Sequence, residues 1–466
     1  MVEQIERLSL TISLYGLVVL VILGFLIFLK QYSRNKTKIQ SRRSILSFAK
    51  WEDAFGIIFG MSKFNRFAYS PANEESHVAV VGGTGSGKTS ALLIPTLLSF
   101  KGGTYFAVDL SGDIAQALSN YIAFRPRYKY TVPYNVFSAV DCADEIDKNI
   151  MLEQLSFAIM PERVAISGDS LHFYKEGRRI LQAALIAFYH KGLDFCEICR
   201  IVFSSSSVDL FTAIDQCGDT YASMLIEGFR GTSPLNVAAC HDACNSAIKN
   251  FAINQDVIRS VRRPKVGEIA ITPALLETKN ILFCIPEYYL ESFAPLLRLI
   301  TAQSFNYFSS RPIGSHPILF AIDEFARLGY LDIANALRTL RKRGVRIMAL
   351  TQALADIDLI YGRAEREVLM NNFAIKVVLS ATDVVSQQYF AELLGHKYVK
   401  RVAKTTRRNE VSYTETLDRV WEIEPEDLGR LGRELIVIHS AGYDRLVKAH
   451  YFRPPICDTA KSSDAS

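Results

Sequence analysis

The stretch His77–Ser90, HVAVVGGTGSGKTS, decides how the rest of the chain is read. Its second part fits G-x-x-x-x-G-K-S/T, with Gly82, Gly87, Lys88 and Thr89 in the fixed places. Glycines let the backbone curl so that several N–H groups point inward at an anion. The N-terminus of the following helix adds partial positive charge. Gly82, Gly83, Thr84, Gly85, Ser86, Gly87, Lys88, Thr89 and Ser90 are therefore the candidate nucleotide-binding residues. Lys88 is expected to reach the β- and γ-phosphates of ATP, and the Thr89 hydroxyl to take one coordination position on Mg²⁺. HVAVV reads as a buried strand and ALLIPTLLSF as an apolar helix, the context that such a loop requires and that a chance glycine-rich turn lacks.

A second piece lies far along the chain. Pro317–Leu331 (PILFAIDEFARLGYL) is an apolar strand that ends in two acids, Asp323 and Glu324. That order puts both carboxylates at the carboxyl edge of a sheet, where ligands bind. Asp323 is expected to hold Mg²⁺ through its water shell, and Glu324 to orient and deprotonate an attacking water. The bland alternative is a pair of acids capping the next helix. Arg346–Gln352 (RIMALTQ) is another buried strand, and Gln352 at its end suits a sensor that hydrogen-bonds both the γ-phosphate and the lytic water. Leu337–Arg346 (LRTLRKRGVR) is dense in arginine. It reads either as a solvated helix end favoured by the helix dipole or as the source of an arginine presented to a neighbouring subunit's γ-phosphate, with Arg341 first, then Arg343 and Arg338. Asp109, Ser111 and Asp113 (VDLSGD) close another strand and read equally as a turn or as partners of the metal's water shell.

From His77 onward short apolar strands alternate with helical stretches, the pattern of parallel α/β organisation. Strands are expected at 78–81, 105–108, 281–285, 318–322, 346–350, 374–379 and 434–438, with a last one at 446–452. Between about Cys142 and Val261 the alternation stops and helix formers dominate, which predicts an all-α insertion over 142–261. The nucleotide domain then occupies 44–141 and 262–454, with a polar tail at 455–466. Ser44–Met61 reads as a packed or interfacial helix.

Leu8–Leu29 carries no charge over about 22 residues, enough to cross a hydrocarbon layer of ~30 Å as a helix. Glu3, Glu6 and Arg7 precede it, Lys30, Arg34, Lys36, Lys38, Arg42 and Arg43 follow it, and no small-residue cleavage site closes it. The expectation is an anchor spanning residues 1–43, with the bulk of the chain on the cytoplasmic side. A hydrophobic content of 49% with 22% charged residues excludes a disordered chain, and a net charge of +5 is too mild to argue for a polyanionic partner. The eight cysteines form no disulfide framework. Cys196/Cys199 and Cys240/Cys244 (with His241 between) read as thiols sharing a helix face rather than as a zinc knuckle.

GGTGSGKTS, VDLSGD, PYNVF (Pro133–Phe137), FAIDEFARLG, RKRGVRIMALTQ and the closing RVWEIEPEDLGRLGRELIVIHSAGYDRLVKAHYF together resemble the coupling proteins of type IV secretion and bacterial conjugation. The resemblance covers most of the chain outside the helical insertion, in the right order. It implies a membrane-anchored, RecA-like P-loop ATPase that assembles as a homo-hexamer. It would sit at the bacterial inner membrane and receive a relaxase-bound single DNA strand at the mouth of the secretion channel. By position it implies Lys88 and Thr89 as the phosphate-loop pair, Asp323 and Glu324 as the acidic pair, Gln352 as sensor and Arg341 as the arginine acting in trans. Three features depart from the family. One clear span appears where two are more common, Ser111 and Asp113 stand where Lys and Glu are usual, and no acidic C-terminal extension follows. Two other functions fit the same residues: a receptor for protein effectors with no DNA role, and a nucleotide-bound scaffold that does not turn over. Lys400, Arg401, Lys404, Arg407 and Arg408 are possible DNA contacts, or simply a polar hairpin loop.

Overall fold

Runs of β-branched and aromatic residues become the strands on which the molecule is built. The computed structural model describes residues 44–74, 76–162, 169–407 and 410–458. In chain order the strands are β1 (Ser47–Ala49), β2 (Ile57–Met61), β3 (Phe67–Ser70), β4 (Val78–Gly82), β5 (Thr104–Asp109), β6 (Ile122–Phe124), β7 (Ile281–Cys284), β8 (Ile318–Ile322), β9 (Val345–Thr351), β10 (Ile375–Ser380), β11 (His396–Arg407), β12 (Glu410–Trp421), β13 (Glu434–His439) and β14 (Gly442–Val447). Twelve of them form one sheet in the order β1-β3-β2-β14-β13-β10-β4-β9-β8-β5-β7-β6, while β11 and β12 form a separate two-stranded sheet.

From β10 to β6 every neighbour is parallel. Successive side chains of these strands sort into two apolar layers. Val78 and Val80 of β4 join one layer with Leu319, Ala321, Met348 and Leu350. Ala79 and Val81 join the other with Phe106, Phe320, Ile322 and Ile347. Both faces are covered, which is why the strands read as unbroken apolar runs rather than alternating ones. The first layer also takes Leu92, Leu93, Ile94 and Leu97 from the helix after the phosphate loop.

The other half of the sheet corrects the expectation of parallel strands throughout. β13 pairs antiparallel with β10, β14 with β13, and β2, β3 and β1 continue antiparallel. The closing strand is Gly442–Val447, the return arm of a hairpin with β13, rather than 446–452. Ser44–Met61 is likewise not a helix. It holds β1, one 3₁₀ turn over Trp51–Asp53, and β2. Two glycines, Gly56 (φ +112°) and Gly60, permit this path. Gly60 has φ +137° and a Cβ there would meet the Val447 carbonyl at 2.6 Å, so the chain is held in a strand that slips register against β3.

Helices fill Glu145–Ile159, Asp169–Tyr189, Phe195–Ser204, Ser207–Gln216, Thr220–Glu227, Pro234–Ile253 and Gln255–Ser260. Their buried side chains run continuously into the layer formed by Phe106, Phe320 and Ile347. The described residues from Leu46 onward are accordingly one compact unit. The chain enters and leaves this helical block side by side: Tyr134 of the PYNVF stretch bridges both Val261 and Ile271 in parallel. Its phenol donates to Gln303 Oε1 at 2.8 Å. Cys196, Cys199, Cys240 and Cys244 are buried inside the block, and burial pushes the Cys244 thiol up to about 12. His241 between them is spent on the Val202 carbonyl at 2.9 Å.

At the amino edge of the parallel strands, buried His77 fixes β4 against β9. Its Nδ1 accepts from the Ile347 N–H at 3.0 Å, so Nε2 carries the proton and donates to the Leu337 carbonyl at 3.0 Å. Burial, with Arg346 and Arg341 adding to it, lowers its pKa to about 4 against the Leu337 bond. Among the described residues no helix is long and apolar enough to cross a membrane, and the anchor expected over 8–29 lies outside them.

Candidate active site

Parallel strands deliver their carboxyl ends to one edge, and that edge holds the expected residues. The loop after β4 turns through Gly85 (φ +71°) and Gly87 (φ +96°), backbone that side chains with a Cβ rarely adopt. A wide helical turn over Lys88–Leu93 follows and runs into the α-helix Ile94–Ser99. The cavity at this edge has a volume of about 300 Å³ and is lined by Gly83–Ser90, Asp323, Glu324 and Gln352, and also by Asp109, Ser111, Asp113 and Glu287.

Within it the side chains form one connected set. Buried Lys88 donates from Nζ to the Gly82 carbonyl at 2.8 Å and lies 3.5 Å from Glu324 Oε1. Thr89 donates from Oγ1 to Asp323 Oδ2 at 3.0 Å. Gln352 donates from Nε2 to Glu324 Oε1 at 3.2 Å and accepts from the Thr84 hydroxyl at 3.2 Å. The tip of the phosphate loop is thus joined to Glu324 through a single amide side chain. Glu324 has φ +51°, a left-handed backbone that costs a non-glycine residue on the order of 1–3 kcal/mol. Burial pushes the Asp323 carboxyl up to about 6; the Glu324 charge adds to this, and Lys88 and the Thr89 bond oppose it.

Two features fit a polyphosphate with a hard cation. Ser86 Oγ is buried without a hydrogen-bond partner. Thr89 and Asp323 present paired oxygens of the type that Mg²⁺ prefers.

Not every expected residue gathers here. Arg341 begins a 3₁₀ turn (Arg341–Arg343) that precedes β9, whereas Gln352 follows β9. The seven residues of β9 therefore separate Arg341 from its own chain's cavity by about 20 Å. Arg343 is tied to Arg311: each guanidinium donates to the other's backbone carbonyl. Arg346 is buried and bonds Ser76, Pro71 and Ser70, stitching β9 to the segment before β4. Asp109 accepts from the N–H groups of Gly112 and Ala115, at 2.8 and 2.9 Å, and Ser111 donates to Asp113 Oδ2 at 2.9 Å, so all three line the cavity with their oxygens engaged locally. Two neighbours of the loop were not among the expected site residues. Glu287, paired with Arg327 at 2.7 Å, stands on the cavity wall. His450 Nδ1 lies 3.0 Å from the Ser90 hydroxyl.

Comparison with known proteins gives this geometry relatives. The family described as type IV secretory system conjugative DNA transfer matches residues 28–191, and the one described as the TraM recognition site of TraD and TraG matches residues 317–432. Both matches support a type IV coupling-protein family for this chain. It is 23% identical over 363 residues to the protein VirD4 of Agrobacterium fabrum (strain C58), covering 73% of this chain and 53% of that one. It is 24% identical over 375 residues to VirD4 of Rhizobium radiobacter, covering 74% and 51%. The chain thus spans about half the length of the curated relatives it matches. The bacterial conjugative coupling protein TrwB (TrwBdeltaN70) shares the mixed α/β fold with a TM-score of 0.68 at 19% identity, over 84% of this chain and 88% of that one. TrwB has also been solved with ADP and Mg²⁺, with a TM-score of 0.67 over 84% and 88% of the two chains at 19% identity.

Proposed function

We propose that this chain is a membrane-anchored ATPase that delivers relaxase-bound single-stranded DNA to a type IV secretion channel at the bacterial inner membrane. The observation that carries the reading is the hydrogen-bonded line Thr84–Gln352–Glu324 beside Lys88, at the carboxyl edge of the parallel strands. Such a line responds to a terminal phosphate: a γ-phosphoryl group would draw Lys88 and Gln352 from Glu324 and free its carboxylate to take a proton from water. In this reading Lys88 holds the β- and γ-phosphates, Thr89 and Asp323 hold Mg²⁺, Glu324 is the general base and Gln352 senses the nucleotide state. Mg²⁺, when bound there, neutralises charge on the phosphate oxygens.

Arg341 acts on a neighbouring copy, since its own chain keeps it at the opposite edge of the sheet, and this favours a closed homo-hexameric ring. The helical block, 142–261, serves as the inserted domain that meets relaxosome partners, and Tyr134 closes its neck. Residues 1–43 anchor the chain beside the channel components. The matches to the DNA-transfer and TraM-recognition families support the substrate and the partners.

Filter binding of single-stranded DNA to the full chain tests the substrate. Affinity should be sequence-tolerant and fall steeply between about 50 and 200 mM salt. No retention at low salt contradicts a DNA role.

A further inference from the structure

The segment after β14 lies against the phosphate loop at a point that the proposed chemistry does not use. Tyr451 donates its backbone N–H to the Ser90 carbonyl at 2.9 Å. Its half-buried ring packs against the same two apolar clusters that hold β2 and β3. The segment is therefore held to the loop on one side and to the sheet on the other. On either side of Tyr451 stand two rings: His450 and Phe452 stack with centroids 5.1 Å apart and planes 22° from parallel. His450 makes the 3.0 Å contact with Ser90 and crowds Gly87, where a Cβ would meet its Cε1 at 3.2 Å. Phe452 is 55% exposed, and the Arg453 guanidinium lies 6.0 Å from its ring centroid.

The polarity of the site says what this ledge faces. Glu324 and Gln352 mark the end of the cavity where a terminal phosphate belongs, with Thr84 beside them. In a loop of this type the backbone cradles the α- and β-phosphates and the lysine reaches the β- and γ-phosphates. The nucleoside then leaves on the side of Ser90, away from the acids. On that side stands a pair of stacked rings with an exposed face and a cation at its rim.

We propose that His450 and Phe452 form the base-binding ledge of the nucleotide site and take a purine by stacking. This rests on the nucleotide reading above and adds a specificity element to it. A stacked ring reads the face of a base rather than its edge, so ATP and GTP should bind alike and both better than CTP. Burial, with Arg453 and Lys448, lowers the His450 pKa, which favours the neutral imidazole.

The test uses the purified full chain with Mg²⁺, titrated with ATP, GTP, CTP and inorganic tripolyphosphate. Phe452→Ala should weaken ATP and GTP by about tenfold, remove most of their advantage over CTP and leave tripolyphosphate within about twofold of wild type. Phe452→Trp should restore purine binding. His450→Gln keeps a polar contact for Ser90 but loses the ring, so it should weaken purines while sparing tripolyphosphate. The proposal is overturned if Phe452→Ala binds ATP as wild type does, or if either variant loses tripolyphosphate and ATP equally, which would make the pair a prop for the loop. Wild-type protein that binds tripolyphosphate but shows no preference among bases also overturns it. Wild-type protein that binds neither tripolyphosphate nor ATP removes the nucleotide reading itself, and the ledge with it.

Discussion

The parallel strands β10, β4, β9, β8 and β5 and the antiparallel strands β13, β14, β2, β3 and β1 share one sheet, yet they end differently. The parallel group is buried on both faces and gathers its site side chains at its carboxyl tips, where Thr84, Lys88, Asp323, Glu324 and Gln352 meet. The antiparallel group closes the sheet and, through the segment after β14, supports the phosphate loop from outside. Chemistry can be concentrated at one edge because the rest of each parallel strand is committed to packing. Changes at those tips should alter turnover more than folding, and changes in the antiparallel half should do the reverse.

The largest expected effect is at the tip of β4. Lys88→Ala should remove measurable ATP binding and lower turnover by at least about 100-fold, while the protein still unfolds cooperatively. Nucleotide titration with calorimetric unfolding checks both halves. Next comes Gln352→Ala, which cuts the link from Thr84 to Glu324: turnover should fall by about 10- to 100-fold with ATP affinity nearly unchanged. An equal loss of affinity would make Gln352 a binding residue instead of a sensor.

The amino edge of the same parallel strands should show the opposite behaviour. His77 has a folded pKa of about 4 against the ordinary 6.5, so as pH falls the unfolded chain takes up the proton first. Its contribution is complete above pH 6.5 and is lost between 6.5 and 4, up to about 3 kcal/mol, and a His77→Gln variant should lack that slope in denaturant melts. The smallest effect is in the antiparallel half. Gly60→Ala forces a Cβ against the Val447 carbonyl and should cost about 1–3 kcal/mol of stability. Turnover measured well below its melting temperature should stay at the wild-type level.

The same contrast governs what could be read from the amino acids. The runs VAVV, ILFAI and VRIMALT are continuous because two layers cover them, and continuity is a local signal. β1 and β2 depend on glycine-permitted register and on distant partners, so the stretch Ser44–Met61 read as a helix. The β11–β12 ribbon leaves Tyr398, Val402, Tyr413 and Leu417 exposed, and its polar middle read as a loop. At the site, Lys88, Asp323, Glu324 and Gln352 were legible because each ends or follows an apolar strand. The left-handed backbone of Glu324 and the approach of His450 to Ser90 were not, since both depend on contacts between segments far apart in the chain.

The most direct test of the account is Glu324→Gln, assayed for ATP retention and for phosphate release in the same preparation. The carboxamide keeps the shape and the contact with Gln352 but cannot accept a proton. The account predicts ATP bound at wild-type affinity and turnover reduced by about 10²- to 10⁴-fold. Phosphate release at the wild-type rate would contradict it, because the acid at the tip of β8 would then have no part in hydrolysis.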